Sequence, residues 1–236
     1  MHGDLQRLFA ALRAYPADAW RTVFLGDLVD GGPFGVGALR FARDRPQSEV
    51  LLGNHEVAML SALRDPARIP SWLGLGGELH DLEELRRDEP LQAWLRSRPL
   101  LLQLVDGTLA QHADTDAYSR LLDLDRPEAH PVEAINQAGR RLLEAGGEDR
   151  LWEVMTPRRV FQERPASLER WLALTGARRV VHGHSPHSGR EPLVYAGGRA
   201  LNFDGGFGRW GARRNRKRTP DAASVGPLPP GPERTA

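Results

Sequence analysis

The chain has 236 residues, 40% of them hydrophobic, which suits one domain with a substantial core and room for an inserted cap. Its 32 basic and 31 acidic side chains leave a net charge of +1, so no overall field favours nucleic acid or a membrane surface as a partner. The count of 0 cysteines excludes disulfides, zinc fingers, iron–sulfur clusters and cysteine nucleophiles. Any metal must therefore be bound by His, Asp, Asn or Glu, which suit manganese, iron, zinc or cobalt.

The first part of the chain alternates helix and strand patterns. Apolar residues at helical spacing predict an amphipathic helix over 4–14 and further helices over 38–44 and 56–63. Short apolar runs at 23–25 and 50–52 each end in a glycine and a polar residue, the pattern of a buried strand that meets a loop. This alternation indicates an α/β protein.

The middle of the chain combines helical stretches with a hairpin and further strands. Asp106-Gly107, a favoured tight-turn pair, joins apolar segments at 100–105 and 108–111. Residues 65–99 and 115–176 are predicted to be mainly helical and to form cap segments beside a site. Further strands are predicted at 179–181, 193–195 and 199–203.

The composition changes after residue 210. Residues 213–218 form a basic run, and the remainder to residue 236 is rich in Pro, Gly, Ala and Ser, which cannot bury enough apolar surface to order itself. We therefore expect one domain over 1–210 and a disordered tail over 211–236, without a nucleic-acid partner. No stretch is apolar enough to span a bilayer and the N-terminal residues lack the regions of a signal peptide, so a cytoplasmic protein is expected.

Polar clusters stand at the start of the chain and at the carboxyl ends of the predicted strands. In open α/β sheets the loops converge at that edge, and ligands bind there. Taken singly, an acidic residue after a strand is more often a turn residue or a helix cap, but the ordered set predicts one site. The clusters are His2-Gly3-Asp4, Gly26-Asp27-Leu28-Val29-Asp30, Gly53-Asn54-His55-Glu56, His112-Ala113-Asp114 and His182-Gly183-His184.

The residue types in these clusters suit a site for two divalent metal ions. Two such ions about 3.5–4 Å apart activate a water and cover the charge on the oxygens of a phosphate ester. A carboxylate that bridges both ions must come from a rigid strand end, which suits Asp27. Imidazoles and one amide carbonyl would complete the coordination without adding negative charge.

From residue 2 to about residue 206, these motifs resemble those of the calcineurin-like metallophosphoesterases. The Gly53-Asn54-His55-Glu56 form and the Gly183-His184-Ser185-Pro186 form are similar to the phosphoprotein phosphatase branch, with its bacterial serine/threonine phosphatases. That branch also includes the symmetrical diadenosine tetraphosphatases. The resemblance implies two central β-sheets flanked by helices in a four-layer α/β/β/α sandwich, with the first strand truncated in this sequence.

The resemblance also implies a ligand set for two divalent ions, with manganese expected and iron, zinc or cobalt as alternatives. Asp27 would bridge the two ions, and His2 would bind the first. Asn54, His112 and His184 would bind the second.

Catalytic roles follow from the same resemblance. His55 would be the general acid that protonates the leaving oxygen, and Asp30 would hold its ring in the right tautomer. Glu56 would support the loop. His182 is not a ligand position in this branch, and we expect it to support the ligands or to contact the substrate.

The first motif departs from the family pattern, which reads Asp-x-His-Gly with the Asp as a ligand of the first metal. Met1 stands at the x position. We hypothesise that the start codon is assigned too late and that a strand ending in Asp lies upstream, because losing a central strand would expose the edges of its neighbours. Upstream in-frame codons for apolar residues followed by Asp would support this, and an immediate stop codon would contradict it. With a genuine start, the first metal would bind weakly or not at all.

The second motif departs at Gly31. Phosphoprotein phosphatases place an arginine after the second-motif Asp, where it clamps the phosphate bidentately. The segment here is Asp30-Gly31-Gly32-Pro33, so that clamp is absent. This departure weakens the case for a phosphoserine or phosphothreonine substrate.

Three functions are compatible with these features. The first is a metal-dependent phosphomonoesterase of the serine/threonine protein phosphatase type. The second is hydrolysis of dinucleoside polyphosphates such as diadenosine tetraphosphate, with the same metals and a different pocket. The third is a catalytically impaired remnant that binds phosphorylated partners. The expected partner is thus a phosphoprotein or a nucleotide.

Overall fold

The computed structural model describes residues 2–122, 130–206 and 224–229. Within them, seven strands and ten α-helices are joined by short loops. The strands are β1 Thr22–Phe24, β2 Ser48–Val50, β3 Leu101–Gln103, β4 Thr108–Gln111, β5 Arg179–His182, β6 Leu193–Tyr195 and β7 Ala200–Asn202. The helices are α1 Leu5–Leu12, α2 Gly35–Asp44, α3 Asn54–Arg64, α4 Ile69–Gly74, α5 Leu79–Arg86, α6 Glu89–Arg96, α7 Pro131–Ala145, α8 Glu148–Met155, α9 Val160–Glu163 and α10 Pro165–Thr175.

The strands form two sheets. β1 and β2 pair in parallel, with Val23 opposite Glu49. The larger sheet has the order β3-β4-β5-β7-β6, in which β4, β5 and β7 are parallel and the outer pairs are antiparallel. Every residue of β5 is buried, as expected for a central parallel strand. The predicted α/β class with two sheets and flanking helices is confirmed.

Most predicted elements are present, and two of their boundaries are corrected. The strand predicted at 50–52 is β2, whose ladder ends at Val50, because the amide of Leu52 donates to the Pro99 carbonyl instead. The helix predicted from residue 38 begins at Gly35. The carboxylate of Asp81 accepts from the first amides of that helix, and sequence patterns do not show such a distant cap.

The two segments predicted to be helical caps are helical. Residues 65–99 contain a 3-10 turn at Pro66–Arg68 and helices α4 to α6. Residues 115–176 contain the 3-10 helix Ala117–Leu121 and, among the described residues, helices α7 to α10. Their role as caps, and the domain boundary near residue 210, stay predictions.

One hydrophobic core runs through the whole described part of the chain, and it includes both sheets and most of the helices. Its largest fully buried side chains include Trp72, Tyr118, Phe161 and Trp171. A polar pair lies within this core, where the indole N–H of Trp171 donates to the side-chain carbonyl of Gln111 at 2.7 Å. Such pairing removes the cost of burying these groups.

A groove of about 470 Å³ runs along the edge of β1 that faces away from β2. In the described ranges no strand other than β2 pairs with β1. The groove is mainly apolar and reaches His2 and Asp27. Aromatic residues in its walls are Tyr15, Trp20, Phe24 and Phe203. The strand that we expect upstream of residue 1 would cover this edge, and it stays a prediction.

The predicted disordered tail, 211–236, lies outside the described residues except for 224–229. This short segment lines the groove, and the amide of Gly205 donates to the Ser224 hydroxyl at 3.1 Å. Among the described residues, no helix is both long and apolar enough to cross a bilayer.

Candidate metal centre

The loops that carry the predicted site converge at the carboxyl ends of parallel strands. Asp27 and Asp30 follow β1, and Asn54 and His55 begin α3 after β2. His112 directly follows β4, as predicted for the hairpin that delivers it. The parallel arrangement of β4 and β5 brings the loop of His184 to the same edge.

Glu56 organises the loop after β1. Its side chain is fully buried, with Oε2 accepting from the amides of Asp27 and Gly53 at 2.8 Å each. Oε1 accepts from Leu28 at 2.5 Å and from Val29 at 3.2 Å. The carboxylate thereby binds two separate loops together, and the supporting role expected for Glu56 agrees with these contacts.

Two glycines let these loops touch. A Cβ at Gly26 would lie 2.6 Å from the Gly53 backbone, and a Cβ at Gly53 would lie 2.4 Å from the amide nitrogen of Asp27. Real Cβ atoms do not approach so closely. The glycine before each polar motif is therefore required by the close packing of the two loops, which the sequence pattern alone does not show.

Four site residues have left-handed backbone conformations: His2 with φ 52°, Asp27 with φ 54°, Asp30 with φ 65° and His184 with φ 64°. Such values are uncommon for non-glycine residues and cost about 1–3 kcal/mol each. The surrounding contacts stabilise these strained conformations, and all four belong to residues predicted to be ligands or catalytic groups. Backbone strain of this kind is typical of functional sites.

The ring orientation of His112 follows from its hydrogen bond. Its Nδ1–H donates to the carbonyl of Leu25 at 2.7 Å, which leaves Nε2 as the bare nitrogen. That nitrogen faces Asn54 Oδ1 at 2.9 Å, His184 Nδ1 at 3.1 Å and Asp27 Oδ1 at 3.4 Å. A metal-binding histidine commonly donates its other ring N–H to a backbone carbonyl, as His112 does to Leu25.

His184 is oriented in the same way. Its Nε2–H donates to the carbonyl of Thr156 at 3.1 Å, so Nδ1 is the nitrogen that faces His112. Two bare ring nitrogens, an amide oxygen and a carboxylate oxygen then point at one place without a hydrogen between them. Lone pairs repel unless a cation lies among them, so the donor set fits a divalent metal.

A second group of ligand atoms shares Asp27. The possible ligand atoms of His2, Asp27 and His55 lie within 4.8 Å of one another, as do those of Asp27, His112 and His184. One carboxylate common to two clusters is the geometry expected of a bridging ligand. The group of Asp27, His112 and His184, with Asn54, therefore fits a divalent metal, and His2 and Asp27 offer ligand atoms for a second one beside His55.

His55 belongs to a hydrogen-bonded chain of three side chains. Its Nδ1–H donates to Asp30 Oδ2 at 2.7 Å, and the other oxygen of Asp30 accepts from the indole N–H of Trp72 at 2.9 Å. His55 Nε2 is left for a metal or for the substrate. The structure brings Asp30 and His55 together, and their catalytic roles stay predictions, whereas Trp72 was assigned only to a cap segment.

Electrostatics separate the ligands from the acid–base pair. Burial lowers the pKa of both His2 and His184 to about 3, so both rings are neutral near pH 7 and suited to bind a metal. Burial alone would raise the pKa of Asp27, but the surrounding imidazoles, with His112 the strongest, hold it far below its usual range. Asp27 is therefore ionised.

The acid–base pair shifts in the opposite direction. Burial raises the pKa of Asp30 to about 6, and the hydrogen bond from His55 limits the rise. Burial lowers the pKa of His55, but the charge of Asp27 and the contact with Asp30 outweigh it and raise the pKa to about 9. His55 is thus protonated near pH 7, as a general acid must be.

His182 lies away from both ligand groups. It is fully buried, with Nε2 2.8 Å from the Tyr195 hydroxyl and Nδ1 3.0 Å from the Gly183 carbonyl oxygen. Burial lowers its pKa. A supporting role behind the His184 loop, one of the two roles expected, is the one these contacts favour.

Two contributors to the site carry no sequence signal. The carbonyl of Thr156 orients His184, and the exposed Arg158 places its Nε 3.2 Å from His184 Nε2. That ring nitrogen thus faces both the Thr156 carbonyl oxygen and the Arg158 guanidinium, which places a cation in direct contact with the ring. Both residues come from the region between His112 and His182, which contains no motif.

Comparison with known proteins agrees with this geometry. Residues 1–188 match the family of calcineurin-like phosphoesterases, which is most of the chain. The chain belongs to the calcineurin-like phosphoesterase family. The resemblance seen in the motifs is thereby confirmed at the level of the family.

Curated relatives are symmetrical bis(5'-nucleosyl)-tetraphosphatases. The enzyme of Methylococcus capsulatus is 39% identical over 101 residues, which cover 42% of this chain and 34% of that protein. The enzyme of Actinobacillus pleuropneumoniae is 30% identical over 146 residues, covering 59% and 51%. The matched part of this chain thus spans between a third and about half of the length of these relatives.

Solved structures of other proteins share the fold of this chain at low sequence identity. A cold-active protein tyrosine phosphatase of a psychrophilic Shewanella has a TM-score of 0.59 at 20% identity, covering 89% of this chain and 70% of that one. A protein serine/threonine phosphatase from Saccharomyces cerevisiae has a TM-score of 0.52 at 15% identity, covering 86% and 64%. These likenesses establish the fold alone.

Proposed function

We propose that this protein hydrolyses phosphoric esters or anhydrides at two divalent metal ions, and that its substrate is a dinucleoside polyphosphate. The observation that carries the hydrolytic centre is the convergence of acceptor atoms of Asp27, Asn54, His112 and His184, with His2 on the other side of Asp27. Asp27 would bridge the ions, His2 would contribute to the first, and Asn54, His112 and His184 to the second. Bound there, the ions supply an activated water and neutralise the charge on the phosphate oxygens.

His55 acts as the general acid in this proposal. Water adds its oxygen to phosphorus, the bond from phosphorus to the leaving oxygen breaks, and the proton on His55 Nε2 passes to that oxygen. Asp30 holds the ring and stabilises its charge. The charge of Asp27 contributes most to the raised pKa of His55, so cations held by Asp27 would lower that pKa toward neutrality, where proton donation is most effective.

Arg158 supplies a cation for the phosphate in place of the arginine that is absent at position 31. Gly31 has φ 67°, and a Cβ there would lie 3.3 Å from the Cβ of His2, so an arginine at this position would be strained. Arg158 approaches the centre from the opposite side, beside His184. A guanidinium in this place pairs with a phosphate oxygen at short range.

The choice of a dinucleoside polyphosphate is supported by the curated relatives, which are named for hydrolysis of bis(5'-nucleosyl) tetraphosphates. The absence of an arginine at position 31 also weakens the alternative function, that of a serine/threonine protein phosphatase. Symmetrical cleavage would break the central phosphoanhydride and release two nucleoside diphosphates. The leaving oxygen then belongs to a nucleoside diphosphate.

A protein phosphatase is the second candidate. Its support is the Gly-Asn-His-Glu and Gly-His-Ser-Pro forms of the motifs at positions 53–56 and 183–186. The same centre would cleave a phosphoserine ester, with His55 protonating the serine oxygen.

Turnover with manganese distinguishes these candidates. The protein is assayed with diadenosine tetraphosphate, a phosphoserine peptide and p-nitrophenyl phosphate, and the nucleotide products are separated by chromatography. We expect ADP as the sole nucleotide product and a higher kcat/KM for the dinucleotide than for the peptide. Preference for the peptide would favour the second candidate, and metal binding without hydrolysis of any substrate would favour a binding remnant.

The role of Arg158 has its own test. Arg158→Met should raise KM for the dinucleotide by about tenfold to a hundredfold, since a hydrogen bond to a charged group is worth about 1.5–3 kcal/mol. Arg150→Met is the matched control, because Arg150 lies on the exposed face of α8 and pairs with Glu153. An equal effect of both substitutions would remove Arg158 from the proposal.

A further inference from the structure

A second cavity, of about 260 Å³, lies between α3, α4 and α8. Its rim carries charged residues, and its interior is apolar and aromatic. The interior residues are Val57, Ala58, Ser61, Trp72, Leu75 and Trp152.

This cavity continues from the acid–base pair along α3. His55, Ala58 and Ser61 are half-buried positions on that helix, three residues apart, so that each lies beside the next in a row that winds through about 120° of the helix surface. With a rise of 1.5 Å per residue, the row extends about 9 Å from His55 to Ser61 along the helix axis. The cavity begins within one turn of the group that protonates the leaving oxygen.

One wall of the cavity is also part of the acid–base pair. Trp72 is 1% exposed, and its indole N–H donates to Asp30, which holds His55. Its low exposure makes Trp72 part of the cavity floor, next to the residues that position the general acid, and not a surface on which a ligand can stack. Trp152, on α8, is half-buried and provides a second indole.

The charges at the rim are paired. Arg68 contacts Asp149 at 2.6 Å, and Arg64 contacts Glu148 at 2.8 Å. The cavity consequently presents the indole of the half-buried Trp152 without a net charge of either sign at its mouth. An uncharged aromatic ring matches this surface better than a phosphate or an ammonium group does.

We propose that this cavity binds the nucleobase of the nucleotide that leaves. The proposal rests on the proposed function, because the leaving group receives its proton from His55 and so departs on the side of α3. In a leaving nucleoside diphosphate, two phosphates and a ribose separate the leaving oxygen from the base. That spacer takes the base along α3, from His55 towards Ser61, to the indole of Trp152.

The test compares two substrates that share the same chemistry. Diadenosine tetraphosphate has bases, whereas inorganic tetrapolyphosphate has the same anhydride without them. Trp152→Ala should lower the ratio of kcat/KM for the first to kcat/KM for the second by about tenfold, mainly through KM, because base–indole stacking is worth about 1–3 kcal/mol. Trp152→Phe should restore most of the ratio. Trp94→Ala, on α6 and outside the cavity, should keep it within about twofold.

An unchanged ratio in Trp152→Ala, with the dinucleotide still hydrolysed, overturns the cavity proposal and leaves the proposed function intact. If the protein does not hydrolyse the dinucleotide, ADP is titrated against the tryptophan fluorescence in the presence of manganese. Quenching that Trp152→Ala abolishes and Trp94→Ala retains supports the cavity although the proposed function fails. ADP binding independent of Trp152, or no binding, overturns the cavity proposal.

Discussion

Replacing Glu56 by glutamine tests the claim that one buried carboxylate holds the metal-binding loops. The wild-type side chain accepts four backbone N–H groups, two on each oxygen. Glutamine is the same size and keeps one acceptor oxygen. The other oxygen becomes an NH2 group, which then faces two amides that also donate.

The cost can be estimated from these contacts. Two buried N–H groups lose their acceptor, and each buried unsatisfied donor costs about 1–3 kcal/mol. We therefore expect Glu56→Gln to lower the free energy of unfolding by about 2–6 kcal/mol, a large part of the roughly 5–15 kcal/mol of a typical domain. Because the amides of Asp27 and Gly53 are among the four, the affinity for manganese should fall as well.

Urea denaturation in the presence of a chelator measures the stability of the fold without the metal. Calorimetric titration with manganese measures the metal affinity, which depends on the position of the loops. Glu83→Gln is the matched control, because Glu83 is exposed on α5, and it should change stability by less than about 0.5 kcal/mol. A Glu56→Gln protein as stable as the control, with normal manganese affinity, would refute the argument that these four hydrogen bonds hold the site.

Three further predictions follow from the contacts of single residues. Asp27→Asn should abolish tight binding of both metals and lower turnover by about a thousandfold or more, because the shared charged ligand is lost; metal analysis of the purified protein checks this. Asp30→Asn should retain the metals but lower kcat by about 10²–10⁴-fold for alkyl phosphates and less for p-nitrophenyl phosphate, whose leaving group needs no acid; equal losses would contradict the role of His55. Asn136→Ala should destabilise the fold by about 2–4 kcal/mol in urea, because its side chain bonds the backbone of Leu100 and Leu101 three times, while the metal content stays normal.

Local chemistry explains why so much of the fold was accessible from the sequence. Buried strands such as β5 require continuous apolar runs, and Asp106-Gly107 prefers a tight turn, with Gly107 at φ 82°. These preferences act over a few residues, so they can be recognised in the sequence without the structure. The start of α2 was misplaced because its cap, Asp81, is 46 residues distant from Gly35.

The candidate site divides in the same way. The identities of Asp27, Asn54, His55, His112 and His184 were accessible from the sequence, because polar motifs stand at the strand ends, where an α/β sheet binds its ligands. The role of His55 as general acid and the roles of the others as metal ligands stay predictions, but the structure brings their side chains together.

What the sequence determined by itself was the type of fold, the family and the set of polar groups available for a metal. Only the tertiary structure decided which ring nitrogen of His112 and His184 is bare, because the carbonyls of Leu25 and Thr156 that set the tautomers belong to distant segments. It likewise decided that Trp72 contacts Asp30 and that Arg158 reaches His184. Hydrogen bonds between remote segments leave no periodic pattern in the chain, and they specify the electrostatics of the site.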